Sequence, residues 1–149
     1  GVAVASSKTV RVSLTKYVMN VGRDFASFRF EETGKYVDVP VEWEGQYYPS
    51  YLPEGGELRT VSMNSVYYDY SDGRILEFAE MDQNWFGNLD TENAIVEDIT
   101  VHGHAALLIQ KDIWNTVVWS EGNYAFLVDY TGSSDETIEI AESVILIAN

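Results

Sequence analysis

From Glu57 to Tyr130 the chain is punctuated by short β-prone runs that recur about every ten residues, a rhythm that narrows the possible folds sharply. The runs are Leu58–Met63, Ser65–Tyr70, Arg74–Glu80, Ala94–Val101, Ala105–Gln110, Thr116–Ser120 and Tyr124–Tyr130. Between them stand turn signals: Ser71-Asp72-Gly73, His102-Gly103-His104, Lys111-Asp112 and Glu121-Gly122-Asn123. Gly in such turns tolerates the positive φ that a tight reversal needs. Only residues 82–93 break the pitch, as a longer polar loop that encloses Trp85 and Phe86. The spacing predicts an antiparallel meander over 57–130.

Both ends read as helices. Ser7 can cap a helix within 1–22, and Val10, Leu14, Tyr17, Val18 and Val21 form one apolar stripe, with Gly22 as the stop. Phe28 and Phe30 then alternate with polar residues as a short strand. Residues 32–56 hold all three prolines and are predicted to be irregular, with a strand at Tyr36–Val41. At the other end, Ser133 and Glu136 match a capping box that opens a helix over 133–148. Its buried stripe would be Ile138, Ala141, Val144, Ile145 and Ala148. The expected fold is therefore α+β in a single domain, 1–149. A curved antiparallel sheet of about six to eight strands would carry an N-terminal and a C-terminal helix.

Nine basic residues against 24 acidic ones leave a net charge of −15. A surface that negative repels phosphate backbones and anionic lipid headgroups, so no nucleic-acid partner is expected. The charge is uneven: Lys8, Arg11, Lys16, Arg23 and Arg29 face Asp24 alone in the first thirty residues. This fits a basic first helix resting on an acidic body. Gly1 reads as a cleavage scar and Val2–Ala5 as the trimmed end of a hydrophobic segment, so any membrane attachment would come from upstream.

The absence of Cys rules out disulfides, thiolate catalysis and Cys-ligated zinc. His102 and His104 have a spacing that can hold zinc on a strand, but Gly103 in a tight turn should splay the rings. The acidic pairs Glu80/Asp82, Asp90/Glu92 and Glu97/Asp98 lack the loop of a dedicated calcium site. No nucleophile elbow and no phosphate-binding glycine loop occurs. The sequence calls for no cofactor and presents no credible active site. We therefore expect a non-enzymatic domain. Loop aromatics bring large contact area at low entropic cost, so Trp43, Tyr47, Tyr48, Trp85, Phe86 and Trp114 are the candidate ligand-binding residues. The competing reading makes them packing residues of a sheet and its irregular flank.

Three stretches resemble the bacterial DUF4367 family, a domain of unknown function. They are Tyr51-Leu52-Pro53-Glu54-Gly55-Gly56-Glu57-Leu58, Ile99-Thr100-Val101-His102-Gly103-His104, and Asn115–Tyr124 followed by Ile138–Ser143. The likeness spans residues 50–146, with one departure at Gly56, where the family more often has an aromatic residue. The resemblance implies an extracytoplasmic domain of a membrane-anchored Gram-positive protein, in some members attached to an anti-sigma-type segment. It carries over no catalytic residue. Two functions stand as expectations: a sensory or partner-binding domain with a protein or cell-wall ligand, and a surface module that grips glycan or peptide through its Trp/Tyr-rich loops.

Overall fold

The computed structural model describes residues 7–10, 17–21, 26–30, 37–82 and 89–147. Strands dominate, and one α-helix lies near the C-terminal end. The first five strands are short: β1 (Ser7–Val10), β2 (Tyr17–Val21), β3 (Ala26–Phe30), β4 (Val37–Pro40) and β5 (Tyr47–Pro49). β1 pairs antiparallel with β4, and β2 with β3. This corrects the expected N-terminal helix, whose described residues are strand; the rest of 1–22 lies outside the described residues. Thr9, Val10, Val18 and Val21 carry β-branched side chains, which lose rotamer freedom in a helix and suit a pleated surface. The spacing of the three valines matched a helical stripe, but propensity and pairing favour strand. The strands expected near Phe28 and Phe30 and at Tyr36–Val41 are present as β3 and β4.

Seven further strands make the main sheet: β6 (Glu57–Val61), β7 (Ser65–Asp69), β8 (Ile75–Asp82), β9 (Ile95–Val101), β10 (His104–Lys111), β11 (Trp114–Glu121) and β12 (Tyr124–Tyr130). Their order is β6-β7-β8-β12-β11-β10-β9, antiparallel throughout. The expected single meander is thus two, β6–β8 and β9–β12, joined where β8 lies beside β12. The connection after β8 must pass β12, β11 and β10 to reach the far edge, about 19 Å at the usual strand spacing. That distance explains the long segment between Asp82 and Ile95. Its residues Leu89 and Ala94 pack on a small cluster of Ala79, Ile109, Val118 and Leu127 on one sheet face.

Two-residue turns join the later strands. Val101 pairs with His104, Lys111 with Trp114, and Glu121 with Tyr124. His102 and Gly103 both take positive φ, 52° and 76°, the geometry of the hairpin turn whose twist matches its strands.

The opposite face carries the main core. Alternation turns Leu76 and Phe78 of β8, Phe126, Val128 and Tyr130 of β12, and Val117 and Trp119 of β11 to the same side, all essentially buried. Phe78, Phe126 and Trp119 form a ladder of stacked rings across three adjacent strands, with centroids 6.4 Å and 5.1 Å apart. Burying each such side chain contributes roughly 1.5–3 kcal/mol.

Onto this face folds the helix α1 (Ser134–Glu142), which packs on β11 and β12. Ser133 accepts from the Glu136 N–H as the expected cap, but the Glu136 carboxylate turns away from the reciprocal bond. α1 is also shorter than expected. Ser143 donates through Oγ to the Ile140 carbonyl at 2.6 Å, and the chain leaves as strand β13 (Val144–Leu146), paired antiparallel with β5. Val144 and Ile145 thus belong to a strand, consistent with their β-branched side chains. The Ser143 carbonyl accepts from the Ser50 N–H at 2.9 Å, and Gln46 O accepts from the Ile147 N–H at 2.7 Å, extending this pairing at both ends.

Gly45 has a steric duty in the same layer. A Cβ there would sit 2.4 Å from the ring of Trp43, which is buried against Tyr48 and Phe78. Overpacking of this kind costs about 1–3 kcal/mol, so Gly45→Ala is expected to lower unfolding stability by that amount in urea titration. Gly55→Ala should show a different signature, since no atom lies near its Cβ position and only its φ of +89° resists the change.

Candidate functional site

β8 places a carboxylate where alternation calls for an apolar residue. Glu80 shares the inward parity of Leu76 and Phe78 and is 7% exposed. It faces the irregular segment that carries β5. Its two oxygens accept from the Gln46 N–H at 3.0 and 3.1 Å, and Oε1 accepts from the Tyr47 N–H at 2.9 Å. An incoming strand leaves backbone donors unpaired at its start, and Glu80 satisfies them where water is excluded. Burial pushes this carboxyl above its ordinary value, and the two amide bonds only partly offset the shift. Glu80 is therefore a strut between layers. Its inward parity was the signal that sequence reasoning overlooked.

A second polar group lies at the other end of the layer. The Glu136 carboxylate accepts from Tyr130 Oη at 2.6 Å and from Tyr51 Oη at 2.9 Å. Arg74 donates to Tyr130 Oη at 2.6 Å and lies over the Tyr70 ring, its Cζ 4.6 Å from the centroid. Burial, followed by the Glu136 hydrogen bond, raises the Tyr130 phenol to about 12, with Arg74 pulling the other way. Tyr51 is raised by burial and by the same carboxylate. Phenols held this firmly protonated serve as fixed donors and not as bases. Tyr70 also explains the departure at Gly56: its hydroxyl end lies 2.9 Å from where a Gly56 Cβ would be, and Tyr70 Oη donates to the Pro53 carbonyl at 3.0 Å. A larger side chain at 56 would have to displace that ring.

On the opposite sheet face Glu77 and Asp129 are register partners on β8 and β12. Burial raises both, and Thr116 Oγ1 donates to Asp129 at 2.6 Å. Tyr67 on β7 is raised to about 12, first by burial and then by its hydrogen bond to Glu77.

A further polar group joins three chain reversals. His102 Nδ1 lies 2.8 Å from Glu121 Oε1 and Nε2 lies 2.7 Å from the Glu142 carbonyl oxygen. His104 Nε2 approaches the same Glu121 oxygen at 4.0 Å. The tight turn thus brings both imidazoles toward one carboxylate, where splayed rings were expected. Among the described residues no group of three or more His, Cys, Asp or Glu is arranged to hold a metal ion. Of the acidic pairs, Asp90 binds Lys111 Nζ at 2.8 Å and accepts from the Glu92 N–H, and Glu80 is the strut described above.

The four aromatic candidates among the described residues do not gather on one exposed surface. Trp43 and Tyr48 are 3% and 0% exposed and belong to the core, where Trp43 Nε1 donates to the Tyr47 carbonyl at 2.9 Å. Tyr47 is half-buried, edge-on to Tyr124 and Phe126. Trp114 is half-buried at the start of β11. Trp85 and Phe86 lie outside the described residues. For Trp43 and Tyr48 the packing reading applies.

Glu80→Ala would leave the Gln46 and Tyr47 amides without an acceptor and is expected to cost about 2–3 kcal/mol in urea unfolding, with faster amide exchange at both positions. Glu80→Gln keeps an acceptor oxygen and should stay within about 1 kcal/mol of the parent at neutral pH. Because the folded carboxyl is raised, ionising it disfavours the folded state. The parent should therefore lose stability as pH rises from the ordinary value of 4.5 through the folded one, a component the Gln variant lacks.

No curated protein sequence matches the chain. Among solved structures, a protein from Bacteroides thetaiotaomicron VPI-5482 is similar at 13% identity and a TM-score of 0.40. The likeness covers 69% of this chain and 48% of that one, and is too distant to bear on fold or function. The model of one family, described as "Domain of unknown function (DUF4367)", matches residues 46–144. That span runs from the amides held by Glu80, through the seven-stranded sheet and α1, to the first residue of β13. The chain belongs to the DUF4367 family.

Proposed function

We propose that this chain is a non-catalytic, extracytoplasmic domain of a membrane-anchored Gram-positive protein, the sensory or partner-binding part of an anti-sigma-type regulator. The setting follows from what the family resemblance implies, strengthened by the family match over residues 46–144. The observation that carries the partner-binding reading is a free edge of the main sheet, the one opposite β6. β9 closes it, and among the described residues no strand pairs with its outer side. Ile95 and Val96 on that strand are 70% and 45% exposed, next to Glu97 and Asp98. An exposed edge offers a row of backbone donors and acceptors to which a partner's strand can add, with alternate side chains reading its sequence. By contrast, the polar clusters around Glu80, Glu136 and His102 are each bonded within the domain.

The alternative function, glycan or peptide binding through Trp/Tyr-rich loops, would rest on Tyr47, Trp85, Phe86 and Trp114, with Trp43 and Tyr48 sequestered.

The 149 residues contain no Cys, so one introduced thiol is a unique label within them. Met63→Cys stands at a position 67% exposed, and a membrane-impermeant maleimide should label it in intact cells that express the full-length protein. Labelling confined to lysed cells would overturn the location. A photo-crosslinking residue at Ile95 should give one discrete protein adduct that the same residue at Met63 does not. Adducts at neither position, with tryptophan fluorescence quenched by cell-wall fragments, would favour the glycan reading instead.

A further inference from the structure

His102 occupies a backbone conformation that side chains rarely adopt. Its φ is +52°, in a two-residue turn with Gly103 at +76°. Asn, Asp and Gly are the residues such turns prefer, so a histidine here calls for a reason. Its contacts supply one. Nδ1 meets the Glu121 carboxylate at 2.8 Å, Nε2 meets the Glu142 carbonyl at 2.7 Å, and the backbone N–H donates to Glu142 Oε2 at 3.3 Å. A carbonyl oxygen and an ionised carboxylate only accept hydrogen bonds. A neutral imidazole has a single N–H and can make one of the two ring bonds. The imidazolium, with two, makes both.

We propose that His102 is a proton-dependent latch, whose imidazolium ties the β9–β10 turn to the C-terminal end of α1 and to the β11–β12 turn. α1 has no basic residue in its last turn, so this cation also stands where the helix dipole and the final carbonyls attract positive charge. The charged and titratable groups facing the ring are Glu121 from β11, Glu142 from α1 and, through Glu121, His104 from β10. Burial acts to lower the His102 pKa, but the Glu142 carbonyl and the Glu121 carboxylate more than offset it, and the net shift is upward from 6.5. A raised folded value means that the latch contributes fully below the unfolded value and is lost as pH rises through the folded one. On opening, the tip of the β9–β10 hairpin loses its hold on the end of α1 and on the β11–β12 turn.

Nitrogen-detected NMR of the two imidazoles across pH tests this directly, and His104→Gln leaves a single ring to follow. At pH about 6 both His102 nitrogens should carry protons, and the midpoint should lie above the usual value near 6.5. Glu121→Gln should lower that midpoint. In thermal unfolding, the parent should exceed His102→Gln by about 3 °C near pH 6 and lose that margin by about pH 9. His104→Gln should keep the parent's pH dependence. A His102 midpoint at or below 6.5, a single neutral tautomer at pH 6, or an equal parent–variant margin at both pH values would overturn the latch. So would transfer of the pH dependence to His104.

Discussion

The alignment of β8 beside β12 is the constraint from which the rest of the structure follows. It fuses two antiparallel units into one seven-stranded sheet and brings Phe78, Phe126 and Trp119 into a continuous ring ladder. Only with that ladder assembled is there a surface wide enough to bury Trp43 and Tyr48 from the β5 segment and Ile140 and Ala141 from α1. Aromatic pairs at these separations add about 0.5–1.5 kcal/mol beyond the area they bury. A register slip of one residue between β8 and β12 would turn Phe78 to the face opposite Phe126 and Trp119 and break the ladder.

The covering layer carries more polar bonding than its burial would suggest. β5 and β13 form only a short two-stranded ribbon, which by itself is too small to be stable in water. Hydrogen bonds from outside the ribbon fix it: Glu80 on the Gln46 and Tyr47 amides, and Ser50 and Ser143 joining its far end. The Tyr51–Glu136–Tyr130–Arg74 group then holds the chain leaving β5 against the start of α1. Buried polar groups of this kind contribute little net energy while satisfied and are costly once a partner is removed. They specify where the layer sits more than how strongly it is held.

Much of this was legible in the residues. Hairpin signals such as Ser71-Asp72-Gly73 and Glu121-Gly122-Asn123 encode local geometry, and local geometry can be read in order along the chain. The Ser133 cap is of the same kind. The N-terminal helix was expected because Val10, Val18 and Val21 satisfy a helical period as well as a strand's branching preference. Pairing with β4, a long-range event, decided between the two. The end of α1 was misplaced for a similar reason, since partnership with β5 takes Val144 and Ile145 out of the apolar stripe. Sheet order escaped entirely, because no short window records that β8 skips past three strands. The aromatic candidates illustrate the same limit: composition placed Trp43 and Tyr48 on a loop, and only the fold reveals that this loop lies under the sheet. The strut role of Glu80 was within reach, since its parity with Leu76 and Phe78 is visible in the sequence.

The segment that crosses from β8 to β9 makes the architecture two interlocked pieces on a single tether. Residues up to Asp82 contribute three adjacent strands, whereas residues from Ile95 onward contribute the other four together with α1. β13 then reaches back to clasp β5. Cutting the tether would remove no pairing between the pieces and would turn a unimolecular collapse into an association. Its completeness would then follow the concentration of the two fragments by mass action. A protein arranged in this way can be split into complementary halves whose reunion reports on their encounter.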